Sequence, residues 1–334
     1  MGKTEKIDFV ITWVDGNDEK WREKFCKYKY NGGDARDVRY RDTDTLKYWF
    51  RAVEKYAPWV NKIYFVTDDQ IPAWLNLDND KLVNVSHKDY IPKEYLPTFS
   101  SHTIELNLHR IKSLSEQFVL FNDDVFINDY VKPDDFFVNG LPKDTAVMNP
   151  TISLENPPFL VPCVDNMVIN RHFNKKDVLK KNFRKFYNLK YGIFTLTNIM
   201  YTPSTYFVGF NMFHLANSFK KSTFSEVWNA EYDLLNNASL HKFRQQTDPN
   251  QWVFQYWQFC KGEFMPRNPN IGLFKIVNTQ NDLDEVISCL KQSSHKILTI
   301  NDSDDMELDF DEFKNTLIRE FEQKFPTKSS FEKY

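Results

Sequence analysis

Glycine is scarce, with only 9 in 334 residues, and no G-x-G-x-x-G or G-x-x-x-x-G-K pattern occurs. Any nucleotide must therefore be held without the usual glycine cradles for phosphate. Cys26, Cys163, Cys260 and Cys289 stand apart, with no C-x-x-C pair. That argues against a zinc site and fits reduced thiols in a cytosolic protein. Neither sign of charge dominates, and a formal net charge of -3 gives no bulk attraction to nucleic acid. Long apolar runs are missing too. The first residues lead straight into a candidate strand with no signal-peptide pattern, so a soluble, cytoplasmic protein is expected. Lys6 stands where a myristoylation signal needs Ser or Thr.

What is present is apolar bulk in a regular rhythm: 41% of residues are hydrophobic and 16% aromatic, ample for a packed core. Residues 7–14 are apolar except for Asp8 and Thr12, which reads as a buried strand, and the turn Asp15-Gly16-Asn17-Asp18 follows. Trp21, Phe25 and Tyr28 then recur at helical spacing, and Leu46, Phe50, Val53 and Ala57 mark a second helix stopped by Pro58. Residues 63–66, 82–85 and 118–121 read as further strands. Such alternation implies right-handed βαβ units, hence an α/β protein with a Rossmann-type, mostly parallel sheet flanked by helices. Three strand ends are acidic, at Asp15, Asp68-Asp69 and Asp123-Asp124. In open α/β sheets that edge is where ligands bind.

The Asn122-Asp123-Asp124 end is the most informative, because the chain turns apolar again at once. Adjacent carboxylates repel, and burial disfavours their ionised form. A divalent cation removes both penalties, and hard oxygen ligands suit Mg²⁺ or Mn²⁺. The pair thus reads as a clamp for a metal-bound diphosphate; the bland alternative is a capped turn with solvated aspartates. A helix starting near Ser100-Ser101 should bury Ile104, Leu108, Ile111 and Leu114. Its neighbouring face carries His102, Glu105 and His109, which lack the H-E-x-x-H order of zinc proteases and more often hydrogen-bond a ligand or loop.

The rhythm weakens after residue 140. Pro142, Pro150, Pro157, Pro158 and Pro162 mark a loop-rich crossing, and residues 171–191 read as a basic helix. That helix is a solvated face, or one that meets an anionic polymer or a membrane surface. Residues 226–241 look helical, 297–300 form a last strand, and 310–325 an amphipathic tail helix. The expected organisation is an α/β core over 1–140 and a loop-rich, mainly helical insertion over 141–205. The rest of the domain spans 206–305, and a helical tail 306–334.

Several blocks together resemble the Stealth proteins, sugar-1-phosphate transferases that include bacterial capsule polymerases and the catalytic subunit of GlcNAc-1-phosphotransferase. The first block is Ile7-Asp8-Phe9-Val10-Ile11-Thr12-Trp13-Val14-Asp15-Gly16-Asn17-Asp18. The second begins at Arg39-Tyr40-Arg41-Asp42 and runs through Leu96-Pro97-Thr98-Phe99-Ser100-Ser101-His102-Thr103-Ile104-Glu105 to Phe121-Asn122-Asp123-Asp124. Looser blocks lie around His214 and Ser239 to Arg244, and at Ile300-Asn301-Asp302. Two departures stand out: His214-Leu215-Ala216 replaces the usual His-x-Pro, and Thr299-Ile300 replaces Cys-Leu before the last Asn-Asp. Neither removes a side chain assigned to chemistry.

The resemblance implies a glycosyltransferase-A-like nucleotide-sugar fold and transfer of a hexose 1-phosphate from a UDP-sugar to a sugar hydroxyl. It implies functional positions at Ser101, Glu105, Asp124, His214 and Arg244. Chemistry suits each. Asp124, with Asp123 or Asp302, would hold the metal; Arg244 would grip phosphate oxygens; and His214 would take the acceptor proton. Ser101 and Glu105 open a helix facing phosphate or sugar hydroxyls. Asp15, Arg39 and Asp44 are candidates for nucleotide and donor contacts. The acceptor is a saccharide, and a growing anionic phosphodiester polymer would give the basic segment a role at the inner face of a membrane or in a capsule-assembly complex. The rival readings are a metal-dependent glycosyltransferase that releases UDP and a non-catalytic carbohydrate-binding protein.

Overall fold

Four of the apolar runs become neighbouring strands. In the computed structural model, which describes residues 5–29, 32–152 and 161–333, β1 (Ile7–Thr12) is flanked by β2 (Ile63–Thr67) and β4 (Gln117–Phe121). β3 (Leu82–Ser86) lies beyond β2, and all three pairings are parallel. Alternate side chains explain why these strands read as continuous apolar runs. Phe9, Ile11, Val119 and Phe121 pack under the helix Leu46–Tyr56. Val10, Phe118 and Leu120 face Phe224, Val227 and Phe254 on the other side. A parallel sheet covered on both faces needs apolar residues at every position. The buried carboxylate in these strands, Asp8, is satisfied: it accepts from the Asn61 side chain at 2.6 Å and the Ser115 amide at 2.8 Å.

The chain leaves β4 through Asn122-Asp123-Asp124 and enters β5 (Val125–Ile127), which belongs to a different sheet. A hairpin, β6 (Phe137–Val138) and β7 (Leu141–Asp144), turns on Asn139 and Gly140, both at positive φ. β8 (Asn217–Lys220) closes the first sheet antiparallel to β4, and β9 (Met265–Pro266) pairs with β7. β10 (Gly272–Ile276) and β11 (Ile297–Asn301) then run parallel to each other, with β11 antiparallel to β5. Through that last pairing the Ile300 amide donates to the Asp124 carbonyl at 3.0 Å, so Asp302 arrives beside the aspartate pair. The fold is α/β, with a mainly parallel central sheet and helices on both faces. Among the described residues no helix is long and apolar enough to cross a membrane.

Three helices differ from expectation. The one opening at Ser101 stops at Leu106 and gives way to a 3-10 turn at Leu108–Arg110. His109 therefore leaves the His102–Glu105 face and lies near the rings of Phe224 and Trp228, at 6.0 and 5.9 Å. The basic segment 171–191 is not one helix. Asn174 caps a new start at Lys175–Lys181, Asn182 bonds back to the Val178 carbonyl, and Asn188 caps a 3-10 turn at Leu189–Phe194. Asparagine competes for backbone groups in this way, and here it breaks the run at each place. Residues 226–241 likewise divide into Lys221–Ala230 and Tyr232–Leu240. At the break, the Glu231 carboxylate accepts from Arg171 and contacts His172. Residues 1–4, Pro157 and Pro158 lie outside the described residues.

The tail helix, Phe310–Lys324, packs Phe313, Leu317 and Phe321 into the same apolar cluster as Trp49, Phe121 and Leu298. Arg51 locks the residues that follow. Its guanidinium makes a two-pronged bond to Glu332 at 2.8 and 2.9 Å, and donates to the Phe325 carbonyl at 2.6 Å. Both partners are buried, so removing the cation strands a carboxylate. Arg51→Met should cost on the order of 3 kcal/mol, read from the midpoint of urea unfolding. A loss below about 1 kcal/mol would show that aromatic packing alone holds the tail.

Candidate active site

Because β1 and β4 end side by side, with Ile11 opposite Phe121, Trp13 and Asp123 line the same cavities. The connection from β1 goes to β2 on one side while β4 lies on the other. That is the switch point where doubly wound sheets open a crevice. Three cavities meet there and share Arg39 and Arg244. A cleft of about 210 Å³ holds Asp42, Asp123, Asp124, His214 and Asp302. A pocket of about 100 Å³ is lined by Trp13, Ser101, Ile104 and Asn122. A basin of about 880 Å³ carries Lys29, Asp34, Arg36 and His102.

One wall of the cleft is acidic. Loss of solvation, then the charges of Asp124, Asp42 and Asp302, push the Asp123 carboxyl well above the usual range. Asp42 is raised to about 6, chiefly by burial, although the Trp13 indole donates to it at 3.1 Å. Asp302 is raised by burial despite Arg41 at 3.4 Å. Behind this wall Glu105 is buried, accepts from the Asn122 amide at 2.9 Å, and is lifted by burial to about 7. Asp124 faces His214, with Oδ2 3.3 Å from Nε2, while its buried Oδ1 has no hydrogen-bond partner among the described residues. Burial pulls the His214 pKa down, yet Asp124 and Glu105 outweigh it and leave the imidazole above its ordinary value.

The opposite wall is cationic. The Asp34 amide donates to the Arg244 carbonyl at 3.0 Å in an isolated β-bridge. Gly33, at φ 97°, makes this approach feasible, since a Cβ there would sit 2.7 Å from that of Phe243. Burial raises the Asp34 carboxyl, but Arg36 and Arg39 hold it well below the usual range. Phe243, next to Arg244, stacks on Phe99 at 5.2 Å. Arg244 itself makes no ion pair among the described residues, and burial, followed by nearby Arg39, lowers its pKa. Three guanidiniums, of Arg36, Arg39 and Arg244, gather near the carboxylates of Asp34 and Glu105, and the excess of donors leaves room for an anion.

The structure thus brings Asp123, Asp124, Asp302, His214, Arg39 and Arg244 to one cleft, with Ser101 in the adjoining pocket and Glu105 behind it. Asp15 spends its side chain on its own turn, accepting from the Asn17 amide at 2.8 Å. Asp44 is exposed and pairs with Lys314 of the tail helix. Asp68 and Asp69 pair with Lys24 and Lys88. Asp42, Arg41 and Asn122 were not singled out for the site; the first two sit in the same four-residue block as Arg39, which was the available signal. Among the described residues no three His, Cys, Asp or Glu side chains are grouped closely enough to make a metal cluster by themselves.

Comparison with known proteins agrees with the blocks. Stealth protein conserved region 1 matches residues 5–29, and conserved region 2 matches residues 39–144. The capsular polysaccharide phosphotransferase WcwK of Streptococcus pneumoniae is 49% identical over the full length of both chains. The chain belongs to the Stealth family. The exopolysaccharide phosphotransferase cps2G of Lactiplantibacillus plantarum is 42% identical, covering 98% of this chain and 96% of its own. The receptor polysaccharide phosphotransferase WefC of Streptococcus gordonii is 40% identical over 98% and 99%. A solved galactosyltransferase, LgtC, is similar at 9% identity and a TM-score of 0.40, too slight a likeness to build on. In this Stealth protein Arg39, Ser101, Glu105 and the aspartate pair lie within the second matched region; His214, Arg244 and Asp302 lie outside both.

Glu105 gives a pH test. Its folded pKa is raised from 4.5 to about 7, so the folded state binds the proton more tightly than the unfolded chain. Its contribution is complete below the unfolded value and is lost as pH rises through the folded one. With chelator present, Glu105→Gln keeps an acceptor for Asn122 and should gain on the wild type between about pH 5 and 8, by on the order of 3 kcal/mol at most. Parallel stability curves for the two proteins would refute the raised pKa.

Proposed function

We propose that the protein transfers a hexose 1-phosphate, N-acetylhexosamine foremost, from a UDP-sugar to a hydroxyl of a growing surface polysaccharide. UMP is released and a phosphodiester forms. The observation that carries this reading is the His214–Asp124 contact facing Arg39 and Arg244 across one cleft. The relatives named as polysaccharide phosphotransferases support it. A UDP-sugar donor also argues for work in the cytoplasm.

In this chemistry the acceptor oxygen bonds to the phosphorus bearing the sugar, and the bond from that phosphorus to the oxygen of UMP breaks. The acceptor proton must leave as the bond forms. An Nε2–H directed at Asp124 leaves Nδ1 of His214 free to take it, a tautomer inferred from the hydrogen bond. Negative charge gathers on phosphoryl oxygens, and Arg244 with Arg39 offers forked, permanently charged donors for them. Glu105 keeps Asn122 in place through the hydrogen bond between their side chains.

The acidic wall fits a divalent, oxygen-preferring cation. Among the described residues the buried Asp124 Oδ1 has no hydrogen-bond partner, and the Asp124, Asp42 and Asp302 charges raise the cost of ionising Asp123. Asp124 and Asp123, with Asp302 nearby, are the residues to hold Mg²⁺ or Mn²⁺; diphosphate oxygens and water would complete the shell. Such an ion would neutralise diphosphate charge and stabilise the leaving UMP.

Turnover of UDP-GlcNAc and related UDP-sugars on short oligosaccharide primers, followed by phosphorus NMR, tests the reaction. UMP with a new phosphodiester signal is expected, whereas UDP without it would make this an ordinary glycosyltransferase. Asp124→Asn should abolish most turnover with little change in melting temperature, and an active variant would remove the clamp. His214→Ala should slow the reaction about 10²- to 10⁴-fold; a loss under about tenfold would make the residue structural.

A further inference from the structure

Residues 171–206 carry eight Lys or Arg and one acid, Asp177, in a chain whose net charge is -3. The region is firmly held on its inner side. The buried Asn198 side chain donates to the carbonyls of Ala146 at 2.9 Å and Phe186 at 2.6 Å, and accepts from the Met148 amide at 2.6 Å. The buried Lys175 ammonium donates to the Ser204 carbonyl at 2.9 Å. Phe186 and Tyr191 are also buried. The outer side is the reverse: Leu189 is 92% exposed, Ile193 76% and Leu196 62%, with Phe183, Ile199 and Met200 exposed beside them.

Single exposed apolar residues are ordinary, but six within 18 residues of chain are not. Next to them an open groove of about 590 Å³ is lined by Lys176, Lys180, Phe183, Tyr187 and Pro203. Lys176, Lys180, Lys181, Arg184 and Lys190 are all exposed. An anionic polysaccharide would account for the cations but would leave the aliphatic side chains in water. A second copy of the chain would cover the aliphatics but would bring two cationic faces together. An anionic bilayer satisfies both.

We propose that this face seats on an anionic phospholipid surface. Leu189, Ile193 and Leu196 enter the headgroup boundary, and Lys176 and Lys180 meet lipid phosphates. Phe194, in the same segment, packs edge-on against Phe213 at 5.7 Å, and Phe213 immediately precedes His214. The catalytic cleft is thereby held close to the surface, where a lipid-borne saccharide acceptor would be presented.

Binding is read without turnover, so this inference and the proposed reaction stand or fall separately. The full chain is sedimented at low salt with vesicles of phosphatidylglycerol mixed with phosphatidylcholine, and with vesicles of phosphatidylcholine alone. Partitioning should be about tenfold or more stronger to the anionic vesicles. Lys176→Glu/Lys180→Glu and Leu196→Glu/Ile199→Glu should each weaken it about tenfold or more, with unchanged thermal melts. No sedimentation with anionic vesicles, or wild-type binding by the Leu196→Glu/Ile199→Glu protein, overturns the proposal. So does a concentration-dependent dimer that the same two substitutions abolish, since that assigns the face to a second copy. Retention on an anionic polysaccharide without vesicle binding overturns it too.

Discussion

Parallel pairing between β1 and β4 is the constraint on which the rest of the cleft depends. With Ile11 opposite Phe121, both strands end at the same level, and the residues that follow have to diverge. One chain turns toward the Asp15 loop. The other crosses through Asn122-Asp123-Asp124 into a second sheet. Apolar packing on both faces fixes that register, because a slip of one residue would exchange the Trp49 side of the sheet for the Phe224 side. The aspartates are therefore placed by the core and not by their own interactions, which is how mutually repelling carboxylates stay together.

Charge separation follows from this placement. The acidic wall is built from strand ends, whose geometry is stiff. The cationic wall comes from two loops joined by the bridge between Asp34 and Arg244, with Phe243 stacked on Phe99 just before the Ser101 helix. Asp34 steadies Arg39, leaving Arg244 with an incomplete charge balance among the described residues. A phosphate between the walls would face guanidinium on one side and, through a cation, carboxylate on the other. With the occupant proposed above, each wall would be more stable than alone, an arrangement common where function is favoured over stability.

The four strands of the parallel sheet and the acidic ends of three of them were legible in the sequence, because doubly buried strands leave unbroken apolar runs. Helices with regular apolar spacing, such as Glu19–Tyr28 with Trp21 and Phe25, were legible for the same local reason. What joins the site is not local. His214, Arg244 and Asp302 reach Asp124 through the β5–β11 pairing and the bridge at Asp34, and only resemblance pointed to them. Asp42 escaped notice because its importance lies in its neighbours' charges. The basic segment misled because its lysines keep helical spacing while Asn174, Asn182 and Asn188 interrupt the backbone.

The two departures from the Stealth pattern meet in space. Thr299, standing where cysteine is usual, donates its hydroxyl to the His214 carbonyl at 2.7 Å. His214 has φ 42°, a conformation that costs a non-glycine residue on the order of 1 kcal/mol. No proline at position 216 helps to restrict this backbone. The hydroxyl supplies a restraint that a thiol, a weaker donor, would supply less well. Phe274 packs against the imidazole at 4.9 Å, and Asp124 holds Nε2. The ring is thus fixed from the backbone, from one face and from its edge, so a strained residue keeps one orientation. In the role of base proposed for His214, meeting an incoming hydroxyl would need that fixity more than a relaxed backbone.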